Sequence, residues 1–179
     1  SVSLITYVRD LIADVKLSDS LICINDTIIM DALLTQDESA YYINGEDGVF
    51  LWDFGNGDEN LFTHKAVSEY AYNSPGEYIL SLIVKDIKNC YDTVRKKIHV
   101  FKPQAKFTLN NNIGCLPLEV AFINNTQSDT NIVSNYWSFS DGSNTGISAP
   151  THAFTDTGYF DVSLIAEDAI GCKDTMIID

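Results

Sequence analysis

The chain repeats itself, and the repeat limits the fold more than any other feature of its 179 residues. Trp52-Asp53-Phe54-Gly55-Asn56-Gly57 returns 85 residues later as Trp137-Ser138-Phe139-Ser140-Asp141-Gly142. Further on, Tyr72, Gly76, Tyr78, Ser81, Leu82, Asp86, Cys90, Asp92 and Thr93 recur at a constant offset of 82 as Phe154, Gly158, Phe160, Ser163, Leu164, Asp168, Cys172, Asp174 and Thr175. Ahead of the tryptophans the offset is 92, pairing Ala13, Leu17 and Cys23 with Ala105, Leu109 and Cys115, so the first copy carries insertions of seven and three residues. Such self-similarity means that each copy is one structural unit. The 92-residue offset also lays Val2, Leu4, Thr6 and Val8 over Val94, Lys96, Ile98 and Val100. Three segments are therefore expected: 1–9 as the closing strand of an earlier copy or a linker, 10–102 as a first domain and 103–179 as a second with a short last strand.

Within each copy the periodicity is two. Tyr78, Leu80, Leu82 and Val84 alternate with Glu77, Ile79, Ser81 and Ile83, as Phe160, Val162, Leu164 and Ala166 do with Asp161, Ser163, Ile165 and Glu167. Alternation of this kind places one face of a strand in a core. Turn clusters such as Asn73-Ser74-Pro75-Gly76 and Asp141-Gly142-Ser143-Asn144 separate the runs, at the spacing of a β-sandwich. The expected fold is all-β, as two tandem sandwiches.

Charge and motifs narrow the function. A net charge of -14 repels phosphate backbones and acidic membrane faces, which argues against nucleic acid, and no window of 18 consecutive apolar residues occurs, which argues against membrane insertion of this segment. Ser1-Val2-Ser3-Leu4-Ile5 lacks the basic start of an export signal, so any targeting segment is expected outside these residues. No nucleophile elbow, phosphate loop or zinc-protease helix occurs. The four cysteines contain no Cys-x-x-Cys pair, which suits disulfides of an exported protein better than zinc.

The order Cys, alternating strand, Trp-Asp-Phe-Gly-Asn-Gly, aromatic, Gly-x-Tyr or Gly-x-Phe, alternating strand, Asp, Cys resembles the polycystic kidney disease (PKD) domain over residues 10 to 179, as two copies. Asn56 departs from the family's Trp-Asp-Phe-Gly-Asp-Gly, as do Ser138 and Ser140 in the second copy. Its His-Thr-Tyr element is met by His152-Ala153-Phe154 and by Tyr70-Ala71-Tyr72. The resemblance implies immunoglobulin-like sandwiches of seven strands without catalytic machinery. Its form with Gly-Cys-x-Asp-Thr is similar to arrays on surface and secreted proteins of Bacteroidota, including gliding adhesins and type IX secretion cargo.

On this reading Trp52, Phe54, Tyr72, Tyr78, Trp137, Phe139, Phe154 and Phe160 are core. Asp53, Asn56 and Asp58 are the candidates for a calcium site, the one cofactor considered, with Asp141 as its remnant in the second copy. Tyr41, Tyr42, Phe50 and Phe62 are candidates for a ligand surface, since sugars stack on exposed aromatics. Asp26-Thr27-Ile28, Asp92-Thr93-Val94 and Asp174-Thr175-Met176 are either O-glycosylation sequons or strand starts shaped by Asp.

Two disulfide patterns stay open. Cys23–Cys90 and Cys115–Cys172 would give one bond per repeat, although opposite ends of a sandwich are too far apart to bridge. Alternatively Cys23 pairs with Cys172 at the junction, leaving Cys90 and Cys115 to flanking repeats. The expected function is an extracellular spacer or adhesion segment whose partners are neighbouring domains, surface proteins or glycans, or else an accessory binding module of a secreted hydrolase.

Overall fold

A computed structural model describes residues 10–33, 36–37, 48–58, 60–86 and 88–179. Segment 1–9, Tyr41 and Tyr42 lie outside the described residues. The chain divides into two compact units, Ser1–Val100 and Phe101–Asp179. Every named element is a β-strand, so the all-β expectation holds, and no helix among the described residues is long and apolar enough to cross a membrane.

The first unit contains β1 (Leu11–Ile12), β2 (Lys16–Leu17), β3 (Leu21–Cys23), β4 (Thr27–Asp31), β5 (Gln36–Asp37), β6 (Gly48–Asp53), β7 (Leu61–Thr63), β8 (Val67–Ala71), β9 (Gly76–Asp86) and β10 (Tyr91–Phe101). A five-stranded sheet runs β3-β10-β9-β6-β7, a three-stranded sheet runs β2-β4-β8, and β1 pairs with β5. Strands β9 and β6 align Trp52 with Leu82 and Phe50 with Val84, all buried together with Ile28 and Met30 of β4. Alternation along β9 produces this directly, because successive side chains point to opposite faces. Fully burying each such side chain contributes roughly 1.5–3 kcal/mol.

The second unit is built from β11 (Phe107–Leu109), β12 (Leu118–Asn124), β13 (Ile132–Phe139), β14 (Asn144–Thr145), β15 (Thr151–Phe154), β16 (Val162–Asp168) and β17 (Lys173–Ile178). Its sheets run β11-β12-β15 and β14-β13-β16-β17. The strand order repeats the β2-β4-β8 and β10-β9-β6-β7 parts of the first unit, without a counterpart to its β3 edge or its β1-β5 pair among the described residues; Trp137 faces Leu164 across β13 and β16, as Trp52 faces Leu82. Strand β16 opens at Val162, two residues later than the alternation from Phe160 suggests. The three-residue insertion falls in the edge hairpin, where β7 is three residues long and its counterpart β14 is two.

Candidate functional site

Both tryptophans are fully buried. Trp137 lies with its ring centroid 4.9 Å from Phe107 and 5.5 Å from Phe122, rings of the opposing sheet. The Nε1–H of each indole is buried without an acceptor among the described residues, so these rings are held by shape and not by a hydrogen bond.

Beside each tryptophan a second aromatic column forms. Phe54 stacks on Tyr70 at 3.6 Å, Tyr70 meets Tyr72 edge-on at 4.9 Å, and Tyr72 stacks on Tyr78 at 4.4 Å. In the second unit Phe139 stacks on His152 at 4.1 Å, His152 meets Phe154 edge-on at 4.6 Å, and Phe154 stacks on Phe160 at 4.8 Å. Tyr70 and His152, each half-buried, are therefore packed into these columns. Their matching position at the 82-residue offset is the signal that could have found them. The Tyr72 hydroxyl donates to the Phe54 carbonyl at 3.0 Å, and burial raises its pKa.

The acidic turn after each tryptophan is tied to this column. In the first unit Asp53 Oδ1 accepts the Gly55 amide at 2.9 Å, Asn56 Nδ2 donates to Asp58 and to Tyr70, and the Tyr70 hydroxyl donates to Asp58. The Tyr70 bond, followed by that from Asn56, lowers the Asp58 pKa. The second unit moves the carboxylate. Asp141 stands where the first has Asn56, Ser143 stands where it has Asp58, and Asp141 binds Ser143 Oγ at 2.6 Å and His152 Nε2 at 2.6 Å. Each turn thus has a carboxylate bonded to its column, Asp58 to Tyr70 and Asp141 to His152.

This arrangement does not fit calcium. A cation of that kind wants six to eight oxygen ligands, whereas Asn56 directs amide hydrogens at Asp58 and Tyr70, and the carboxylates are taken by protein donors. Among the described residues no group of three or more His, Cys, Asp or Glu side chains is placed to hold a metal.

The Asp141 carboxyl is drawn from 3.8 to about 2, first by the Ser143 hydroxyl, then by the Ser143 amide and His152. A folded value below the unfolded one stabilises the fold above pH 3.8, and that contribution is lost as pH falls through 3.8 toward 2. Asp141→Asn is expected to flatten the dependence of second-unit unfolding in that window, measured by urea titrations at successive pH values. An unchanged slope would show that Asp141 is not its source.

A second repeated device sits in the hairpin after each long strand. Asp86 Oδ1 accepts the amides of Lys88 and Cys90 at 2.8 and 2.9 Å, and Asp168 Oδ1 accepts those of Ile170 and Cys172 at 3.0 Å each. Both aspartates are buried, which is tolerable because they are bonded. The sequon aspartates are structural too: Asp92 accepts the Ala13 amide and Asp174 the Ala105 amide, each at 2.8 Å, while Asp26 accepts that of Cys23 at 3.2 Å.

Phe50 is fully buried in the core, which corrects its assignment to a ligand surface: it follows the inward alternation of β6. Phe62 is 66% exposed. It borders a groove of about 370 Å³ on the outer face of the five-stranded sheet, floored by Val49, Leu51 and Ile83 and flanked by His64 and Lys85.

Cys23 and Cys172 are disulfide-bonded, while Cys90 and Cys115 are free thiols. One bond per repeat, Cys23–Cys90 and Cys115–Cys172, would consume both free residues and is therefore ruled out. Iodoacetamide applied to the denatured, unreduced chain is expected to label Cys90 and Cys115 and to spare the other two, as read by peptide mass mapping. Label on Cys23 or Cys172 would contradict the assignment.

A PKD domain family model matches residues 100–179. Pre-pro-metalloprotease PrtV of Vibrio cholerae serotype O1 is 32% identical over 130 residues, or 72% of this chain, and the chain spans 14% of that relative's length. The crystal structure of the PKD1 domain from the V. cholerae metalloprotease PrtV is 33% identical, covering 43% of this chain and 91% of that one with a TM-score of 0.39. The PKD1 domain of Vibrio anguillarum Epp is 29% identical, covering 43% and 88%, also at 0.39.

Proposed function

We propose that this chain, whose residues 100–179 match a PKD domain family model, is a non-enzymatic extracellular module that spaces and attaches the domains or surfaces around it. The observation that carries this reading is the duplicated packing of the motif residues against one another. In both units tryptophan, aromatic column and acidic turn satisfy one another, so the side chains best suited to chemistry are spent on packing. The disulfide supports an oxidising compartment outside the cytosol. A narrower form, a tandem surface array of the Bacteroidota kind that serves adhesion, gliding or type IX secretion, rests on the sequence pattern alone.

A second reading makes the chain an accessory substrate- or carbohydrate-binding module of a secreted hydrolase. The name of the Vibrio relative, a pre-pro-metalloprotease, favours it, as does the exposed Phe62 beside its groove. Passing the purified chain over immobilised polysaccharides and proteins separates the two. A spacer retains none of them and turns none over. Retention that disappears with Phe62→Ala supports the binding module, and hydrolysis of any of them would overturn both.

A further inference from the structure

Each free thiol in this chain has a disulfide-bonded twin. Cys115 occupies the repeat position of Cys23, and Cys90 that of Cys172; Cys23 and Cys172 are oxidised, Cys90 and Cys115 are not. The oxidised set holds one residue of each position type, and so does the reduced set.

The likeness reaches the local geometry. Asp86 N donates to the Cys90 carbonyl at 3.0 Å, as Asp168 N does to that of Cys172, also at 3.0 Å. Asn89 and Gly171, the preceding residues, both have positive φ, 66° and 97°, and donate to Asp86 O and Asp168 O at 3.1 and 3.0 Å. With the carboxylate bonds to both cysteine amides, the backbone that presents the Cys90 thiol matches the backbone that presents an oxidised sulfur. Cys115 is itself exposed and adjoins Ile113 and Leu116, 79% and 46% exposed, while Cys90 is followed by Tyr91 at 74%. Large apolar side chains left in water next to both thiols are surface that a partner would cover.

We propose that Cys90 and Cys115 are complementary linkage points, through which Cys115 of one chain forms a disulfide with Cys90 of a second copy. Having one of each type per chain makes the contact heterologous, so linkage extends head to tail instead of closing on a symmetric pair. The chemistry needs a small disulfide such as oxidised glutathione. The Cys90 thiolate attacks one of its sulfurs and expels a glutathione thiolate. The Cys115 thiolate of the second chain then attacks the Cys90 sulfur of the mixed disulfide and expels the other. Two protein thiols are oxidised to one disulfide, and the reagent leaves as two reduced glutathiones carrying the two protons.

This inference does not depend on what the module binds. The test is the 179-residue chain in a glutathione redox buffer, followed by non-reducing electrophoresis and peptide mapping. Wild type is expected to form a ladder containing Cys90–Cys115 linked peptides. Cys90→Ser and Cys115→Ser should each stay monomeric alone and form dimers, with no higher rungs, when mixed. A map that keeps Cys23 and Cys172 disulfide-bonded, with unchanged thermal unfolding, verifies that the variants are folded. Dimers from either variant alone, at the level of the mixture, would overturn the pairing of unlike types. Wild type carrying only glutathione adducts would overturn the linkage itself.

Discussion

Gly55→Ala is expected to destabilise the first unit by roughly 2–5 kcal/mol, from a left-handed backbone cost and an overpacking cost that add. Gly55 has φ +72°, where an L side chain is strained, and a Cβ placed on it would lie 2.5 Å from the Ile79 carbonyl oxygen. That obstacle is backbone of β9, the central strand of the five-stranded sheet, so it cannot swing aside as a side chain would. Against a typical domain stability of about 5–15 kcal/mol, the loss is a large fraction of what holds the unit folded. Gly57→Ala is the control: φ is +85° but nothing lies within 4 Å of the added methyl, so only the conformational part, about 1–2 kcal/mol, is expected. Urea unfolding followed through each unit's tryptophan, with the other replaced by phenylalanine, separates the two transitions. Equal losses for the two variants would show that β9 yields to the methyl and that the close approach is not decisive.

The second unit shows how the same joint is made without glycine. Ser140 stands at the position of Gly55, and there the backbone turns so that Ser140 N donates to the Asp161 carbonyl at 3.0 Å while Ser140 Oγ accepts the Asp161 amide at 2.8 Å. A departure from the family pattern that reads in the sequence as decay is, in the folded chain, a different solution to docking the turn on the neighbouring strand. Sequence offsets reveal which residues are equivalent, and period-two alternation reveals which of them point inward; those two signals are enough for the sandwiches, the tryptophans and the column. They do not reveal what a polar residue is bonded to. Asn56 and Asp58 look like oxygen ligands because nothing local shows that Tyr70, twelve or more residues away, will claim them. Phe50 looks like a platform because it borders an insertion, although its parity with Trp52 on β6 already places it inward. The Cys23 and Cys172 assignment depends on where strand ends fall in space, which alternation leaves open.

Trp137→Ala is expected to cost about 3–5 kcal/mol, the usual range for emptying a large aromatic site in a core, whereas Trp137→Phe should cost no more than about 1–2 kcal/mol. The difference follows from the indole nitrogen. Trp137 is fully buried with no acceptor for Nε1–H among the described residues, so its desolvation, worth about 1–3 kcal/mol, is uncompensated in the native protein. Phenylalanine loses apolar contact with Phe107 and Phe122 but also removes that buried donor, and the two changes oppose each other. If the ring were retained for a hydrogen bond, phenylalanine would be nearly as damaging as alanine, since it would strand an acceptor. Denaturant unfolding of both variants, with β13 and its neighbours followed by amide exchange, distinguishes the cases. The same ordering should hold for Trp52, whose Nε1–H is buried without a partner in the same way. Agreement at both sites would mean that the repeat preserves the volume between two sheets and not a polar contact, which is what a scaffold requires and a reactive site does not.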